Sequence, residues 1–218
     1  MRLRCRLRRS HLEALERYLP LVEIQTGRDD LIIPEEVFHR KAPLYVEVGC
    51  GNGEFLYNLA VKNPSADFIG IEIFLTGIAK LLRRMLDYGR STHPSPANLR
   101  IIRVDARIIL ERFPDHSVDG FYILFPDPWP KKRHHKRRLI NNAFAGLLLR
   151  KLKPHGFVVI TTDHGDYASQ IEDSMKEAGF YEEILEEGEV ILNTKYFKKA
   201  LSEGRKIYSY MFLKSQNL

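Results

Sequence analysis

The sequence predicts an α/β fold, a doubly wound and mostly parallel sheet with helices on both faces. Three observations lead there. Short apolar runs alternate with amphipathic stretches, the pattern of repeated β-α units. The first apolar run opens directly into a glycine-rich turn and a helix. At 218 residues the chain is long enough for one such domain with an ordinary core.

The elements follow in order. "LYVEVG" (44–49) reads as the first strand, with a helix from about Glu54 to Lys62 after the turn. "DFIGIEI" (67–73) is the second strand. Its helix runs through "TGIAKLLRRMLDYG", with Ile78, Leu81, Leu82 and Met85 on one face and Gly89 as the stop. "LRIIRVD" (99–105) is the third strand and "VDGFYILFPD" (118–127) the fourth, ended by prolines. A helix over roughly Leu139 to Lys151 is expected to stop at Pro154. "GFVVITTD" (156–163) is the fifth strand, followed by a helix around Tyr167 to Ala178. "YEEILEE" and "RKIYSYMFL" close the sheet as two strands separated by a loop, "NTKYFKKALSEG". Residues 1–42 are set apart as a basic arm and helix, with residues 43–218 as the main domain.

Composition removes several classes. Hydrophobic content of 44% with 11% aromatics is that of a globular chain and not of a disordered one. Cys5 and Cys50 cannot build a disulfide framework and form no CxxC metal motif, which points to the reducing cytosol. No apolar run reaches the roughly 20 residues that span a bilayer. "MRLRCRLRRSH" carries five Arg without the apolar stretch of a secretory signal. The excess of 34 Lys and Arg over 28 Asp and Glu, a charge of +6, suits a polyanionic partner, nucleic acid before membrane. That charge is clustered: "KKRHHKRR" (131–138) places six Lys or Arg and two His in eight positions.

In a doubly wound sheet, ligands sit at the carboxyl ends of the strands. "EVGCGNGE" puts Gly49, Gly51 and Gly53 at such an end, where glycines allow a sharp turn and close approach to a ligand. The spacing is GxGxG, and Glu54 stands where a dinucleotide fingerprint wants its last glycine. A carboxylate there would repel a pyrophosphate. The loop therefore suits a ligand without phosphates, such as S-adenosyl-L-methionine. Glu47 on the first strand is placed to face the amino-acid end or sulfonium of that ligand. Glu72, 21 residues after Gly51, is placed for the ribose hydroxyls, and Asp105 for the adenine amino group. A single acid at a strand end is more often a solvated residue or a helix cap. Several in succession beside a glycine loop form a pattern.

The loop resembles motif I of class I S-adenosylmethionine-dependent methyltransferases. "FPDPWPKKRHHKRR", followed by "TTDHGDYA" and "NTKYF", resembles the bacterial-type tRNA (guanine-N7-)-methyltransferase family from about residue 44 to 213. The resemblance implies a Rossmann-like seven-stranded sheet with an antiparallel last strand. It further implies methylation of the variable-loop guanosine numbered 46 in tRNA. It assigns catalysis to Asp127, beside the cofactor, and substrate contacts to Lys131, Asp163 and the loop holding Thr194, Tyr196 and Phe197. In this chain Phe197 stands where family members commonly carry Glu, and Glu203 is the nearest acid in the same loop.

The residues agree with that chemistry. Guanine N7 is a lone pair without a proton, so its methylation requires no general base, and the sequence offers no Ser-His-Asp set, Cys-His pair or metal-ligand spacing. Asp127 between two prolines is expected to orient the guanine and stabilise developing charge, with Trp129 as a stacking surface. Lys132, Arg133, Lys136, Arg137 and Arg138 are expected to grip phosphates. The alternative for the run is a solvated charged face. Two other readings stay open: a methyltransferase for another substrate, such as an exocyclic amine, and a non-enzymatic RNA-binding module. The sequence requires no obligate protein partner and is compatible with a monomer or a homodimer.

Overall fold

The computed structural model describes residues 7–25, 27, 30–87, 96–183 and 195–214. Two helices, α1 (Arg9–Val22) and α2 (Pro34–Phe38), precede the sheet. The strands and helices then alternate: β1 (Leu44–Val48), α3 (Glu54–Lys62), β2 (Asp67–Ile71), α4 (Leu75–Asp87), β3 (Leu99–Ile102), α5 (Ala106–Ile109) and β4 (Val118–Leu124). They continue as α6 (Asn142–Lys151), β5 (Leu152–Thr162), α7 (Gly165–Glu177), β6 (Phe180–Glu183), α8 (Lys195–Ser202) and β7 (Tyr208–Lys214). The seven strands lie in the order β3-β2-β1-β4-β5-β7-β6. β1 to β5 pair in parallel, and β7 enters antiparallel between β5 and β6.

The two faces of the sheet bury different helices because side chains alternate along each strand. Ile69 and Ile71 of β2 face a core closed by α5, α6 and α7, whereas Phe68 faces α1, α3 and α4. The apolar stripe of α4 is buried throughout, from Ile78 through Leu81 and Leu82 to Met85. The order of the strands reverses between β1 and β4, so the crevice at their carboxyl ends is the switch point of the sheet.

Several expectations are corrected. The helix before β5 starts at Asn142, where the Asn141 side chain accepts a hydrogen bond from the Phe144 amide at 3.1 Å. It ends at Lys151 and passes straight into β5, so Pro154 does not stop it. Pro154 instead lies in the irregular stretch where the β4–β5 register shifts, a place where a missing N–H is tolerated. Residues 195–202 are helical and not loop, with the buried Ala200 and the half-buried Phe197 on the inward face. Strands β2, β3 and β4 end two or three residues early, which leaves Glu72, Asp105 and Asp127 on connecting segments beyond the strands. Gly89 and residues 184–187 of "YEEILEE" lie outside the described residues.

One contact decides how closely α4 approaches the glycine loop. A Cβ placed at Gly77 would meet the Gly51 carbonyl oxygen at 2.5 Å. Gly77→Ala is therefore expected to push α4 off the loop and destabilise the fold by about 1–3 kcal/mol, the usual range for overpacking. The midpoint of urea unfolding checks it, and an unshifted midpoint would show that the loop yields freely.

Candidate functional site

Gly49, Gly51 and Gly53 all take positive φ, at 75°, 53° and 62°. The loop is fixed to the neighbouring strand by the amides of Gly49 and Cys50, both donating to the Ile71 carbonyl. Its tip is fixed by a carboxylate. Glu72 accepts from the Gly51 amide at 2.9 Å with one oxygen and from the Phe74 amide at 2.7 Å with the other. Glu72 thus ties the loop to the β2–α4 corner while keeping lone pairs for a ligand. Gly53 has a different task from its neighbours. A side chain there would collide with Leu81 at 2.5 Å, so this glycine serves the packing of α3 against α4 and does not line the cavity.

The loop borders a cavity of 690 Å³ lined by Glu47, Gly51, Glu72, Phe74, Lys80 and Tyr196, among others. A second cavity of 760 Å³ adjoins it and reaches Asp105, Asp127, Trp129, Lys136 and Arg137. The two share Gly49, Glu72, Phe74, Leu124 and Phe125, so they form one cleft over the switch point. Glu47 lies at its floor, 4% exposed, with one carboxylate oxygen buried and unpartnered. Burial pushes its carboxyl up to about 8; Glu72 adds to the rise and the backbone at Leu56 opposes it. An orphaned, buried carboxylate facing a cleft is suited to a cation. Cys50 lines the same wall, its thiol raised well above the usual range by burial and by Glu47 and Glu72.

Asp105 lines the second cavity, and its carboxylate is already engaged. It caps α5 by accepting from the Arg107 amide at 2.9 Å and takes both Nε and Nη2 of Arg107 at 3.0 and 2.8 Å. The Arg107 hydrogen bond holds this acid below the ordinary carboxylate range.

Asp127 projects from the segment after β4, exposed and facing the second cavity. The backbone on either side of it is unusual. Phe125 at φ 51° and Trp129 at φ 44° both adopt the left-handed region that large side chains avoid. Phe125 is held there by its amide donating to Thr161 at 2.9 Å and by the Tyr196 ring, 4.6 Å away between centroids. Trp129 carries the Arg137 guanidinium over its ring at 4.9 Å, with His134 edge-on.

The basic run coils into a 3₁₀ helix over Lys132–Arg137 and divides in two. Lys131, Lys132, Arg133, Lys136 and Arg137 are exposed, as phosphate contacts require. Arg138 is not one of them, which corrects its expected role. It is 2% exposed, donates to the Pro128 carbonyl at 2.9 Å and to Gln170 at 2.8 Å, and pairs with Asp166. Its guanidinium also lies over the Tyr167 ring. Arg138 therefore anchors the Asp127 segment to α7.

Asp163, at the end of β5, is ion-paired with Arg205, which also pairs with Glu203 and lies over the Tyr196 ring. Sequence reading overlooked Arg205, Lys80 and Lys199; isolated cations far apart in the chain carry no signal until the fold gathers them. Tyr196 reaches the cleft from α8, Phe197 is half-buried on the same helix, and Thr194 lies outside the described residues. Among the described residues no group of His, Cys, Asp or Glu is placed to hold a metal ion.

The architecture recurs in solved structures. The aminoglycoside resistance methyltransferase NpmB1 superposes with a TM-score of 0.62 over 88% of this chain and 95% of its own, at 15% identity. The 16S rRNA methyltransferase KamB gives 0.60 over 88% and 97%, at 14% identity. The fold is that of the class I methyltransferases. A family model described as "Putative methyltransferase" matches residues 41–210. The tRNA (guanine-N(7)-)-methyltransferase of Nitrosococcus oceani is 39% identical over 93% of this chain and 84% of its own. That of Wolbachia pipientis wMel is 36% identical over 94% and 86%. The chain belongs to the tRNA (guanine-N(7)-)-methyltransferase family.

Three variants test the site's construction. Glu47 binds a proton on folding between pH 4.5 and about 8, so its contribution to stability declines as pH rises through that window. Glu47→Gln should remove that decline, which thermal unfolding from pH 5 to 9 would show. Arg138→Ala should lose at least about 3 kcal/mol, from its charge-assisted hydrogen bonds to the Pro128 carbonyl and Gln170, worth about 1.5 kcal/mol each, with a smaller share from the exposed Asp166. Lys132→Ala should leave stability unchanged; equal unfolding midpoints for the two variants would contradict the division of the basic run.

Proposed function

We propose that this chain transfers a methyl group from S-adenosyl-L-methionine to N7 of guanosine 46 in the variable loop of tRNA. The observation that carries the reading is the single cleft, which places the glycine loop and Glu47 at one end and Asp127 with the exposed basic run at the other. The names of its relatives supply the nucleobase and the atom. The cleft fits the cofactor on its own evidence. A Cβ at Gly49 would meet nothing within 4 Å, which leaves open space over the loop, and the orphaned oxygen of Glu47 lies in its wall.

When bound, S-adenosyl-L-methionine supplies an electrophilic methyl group on a cationic sulfur. Glu47, ionised by a cationic neighbour, holds the positively charged end, and its orphaned oxygen gains a partner. Glu72, its backbone contacts intact, accepts from the ribose hydroxyls with its remaining lone pairs. Asp105 borders the adenine end, where its role is shared with capping α5. Asp127 accepts from the N–H edge of guanine, turns N7 toward the methyl group and stabilises the positive purine that forms. No proton leaves N7, so Asp127 orients and stabilises and does not act as a base. Lys131 stands on one side of the nucleoside and Asp163, joined to Tyr196 through Arg205, on the other, with Phe197 on the same helix as Tyr196 and Thr194 assigned to the same contact. Lys132, Arg133, Lys136 and Arg137 hold the flanking phosphates.

In this reading residues 43–218 form the catalytic domain, with residues 1–42 as an arm and helix leading into it. The enzyme acts in the cytoplasm as a monomer or homodimer without an obligate protein partner. Among the described residues no helix is long and apolar enough to cross a membrane.

The test uses unmodified tRNA transcript and labelled S-adenosyl-L-methionine, with the product digested to nucleosides. Label is expected in 7-methylguanosine; label in any other nucleoside would overturn the assignment. Asp127→Ala is expected to lower turnover by at least 100-fold while changing cofactor affinity by less than about threefold, as for loss of one positioned transition-state contact. Equal losses in both would show that Asp127 serves the cofactor instead.

A further inference from the structure

Cations stand at both ends of the cleft. Lys136 and Arg137 stand beside Asp127, and Lys80 of α4 lines the cavity next to the glycine loop. Beyond Lys80 the surface is formed by α1 lying against α4, a seam closed by Ala14, Leu19, Ile78 and Met85. Arg8 and Arg83 are exposed along this seam, as is Lys80. None of these three takes part in an ion pair among the described residues, whereas Arg9 beside them is paired with Glu13. His11 lies on α1 at the same seam, within electrostatic range of all three. Its pKa is lowered by burial and then by Arg83, Arg8 and Lys80 in turn. The Nδ1 atom of His11 is buried without a hydrogen-bond partner among the described residues. A fold gains nothing from gathering unpaired like charges, since each repels the others and an imidazole beside them is kept neutral. Such a seam is relieved by an anion.

The geometry points to a second RNA-contacting surface: Arg8, Lys80 and Arg83, where α1 meets α4, hold backbone phosphates on the side of the target nucleoside opposite the 131–137 run. This rests on the proposed activity toward tRNA and extends it. A nucleoside inserted into the middle of the cleft has phosphates leaving it in two directions, and the basic run meets only one of them. The acids along the floor repel a phosphate from the cleft itself, so the chain is held at its two cationic lips. The surface reads no sequence, since its groups meet phosphates and not bases.

The test is equilibrium binding of full-length tRNA between 50 and 300 mM salt, with Arg8 and Arg83 both replaced by Ala in the full chain. Lys80 is left in place because it lines the cofactor cavity. Each phosphate contact contributes about 0.7–0.9 to the slope of log K against log salt. The double variant should therefore lose about 1.4–1.8 from the magnitude of the slope, with cofactor affinity and melting temperature unchanged. A wild-type slope in this variant, beside a reduced slope in Lys131→Ala/Lys132→Ala/Arg133→Ala, would overturn the second surface and leave the proposed function standing. Absence of salt-dependent tRNA binding by the wild type would overturn both. A fall in cofactor affinity or melting temperature that accounts for the lost RNA binding would also overturn it, by showing that the two arginines act through the fold.

Discussion

The geometry of the cleft depends on the two hydrogen bonds that Glu72 accepts, from Gly51 on one side and Phe74 on the other. Without them the glycine loop has contacts to β2 at its base but nothing to hold its tip. With them, the loop, the end of β2 and the start of α4 move as one piece. The nearness of Gly77 to the Gly51 carbonyl is a consequence, because α4 begins from the corner that Glu72 has fixed. A carboxylate thus has a structural duty at the point where sequence reasoning assigned it a ligand. Both duties are compatible because a carboxylate has more lone pairs than it has oxygens.

The Asp127 end is fixed by a different means. Two aromatic residues hold left-handed backbone on either side of the acid, a conformation that persists only where the surroundings over-determine it. Those surroundings are identifiable: Thr161 and Tyr196 for Phe125, Arg137 for Trp129, and the buried Arg138 reaching back to the Pro128 carbonyl. Prolines alone would have stiffened the segment without aiming it. The final arginine of the basic run supplies the aim by fastening the segment to α7.

Much of this was legible in the sequence, because the relevant signals are local. Period-two and period-3.6 patterns located β1, α3 and α4, and the GxGxG spacing marked the turn that the fold uses. Arg138 was misassigned for the converse reason. In the sequence it is one of six like charges, and its burial is decided by Gln170, Asp166 and Tyr167, which arrive about thirty residues later. Helix α8 reads as loop in the sequence because its apolar face is narrow and three of its eight residues are lysines. Arg205, which joins Asp163 to Tyr196, was illegible because its partners lie in different elements. A helix is expected within residues 1–42 but without bounds, because the arginines around α1 obscure a stripe that only α4 reveals.

The placement of β7 has a consequence for how the sheet is assembled. Strands β1 to β5 each extend an edge that already exists, so that part of the sheet can grow as the chain emerges. β6 cannot join in this way, because its partner in the sheet is β7, which is made after it and lies inside it. Until residues 208–214 have been synthesised, β5 presents a bare edge and β6 has nothing to pair with. The far side of the sheet is therefore committed in one late, non-local step, the kind that slows folding and leaves an open edge for other chains to find.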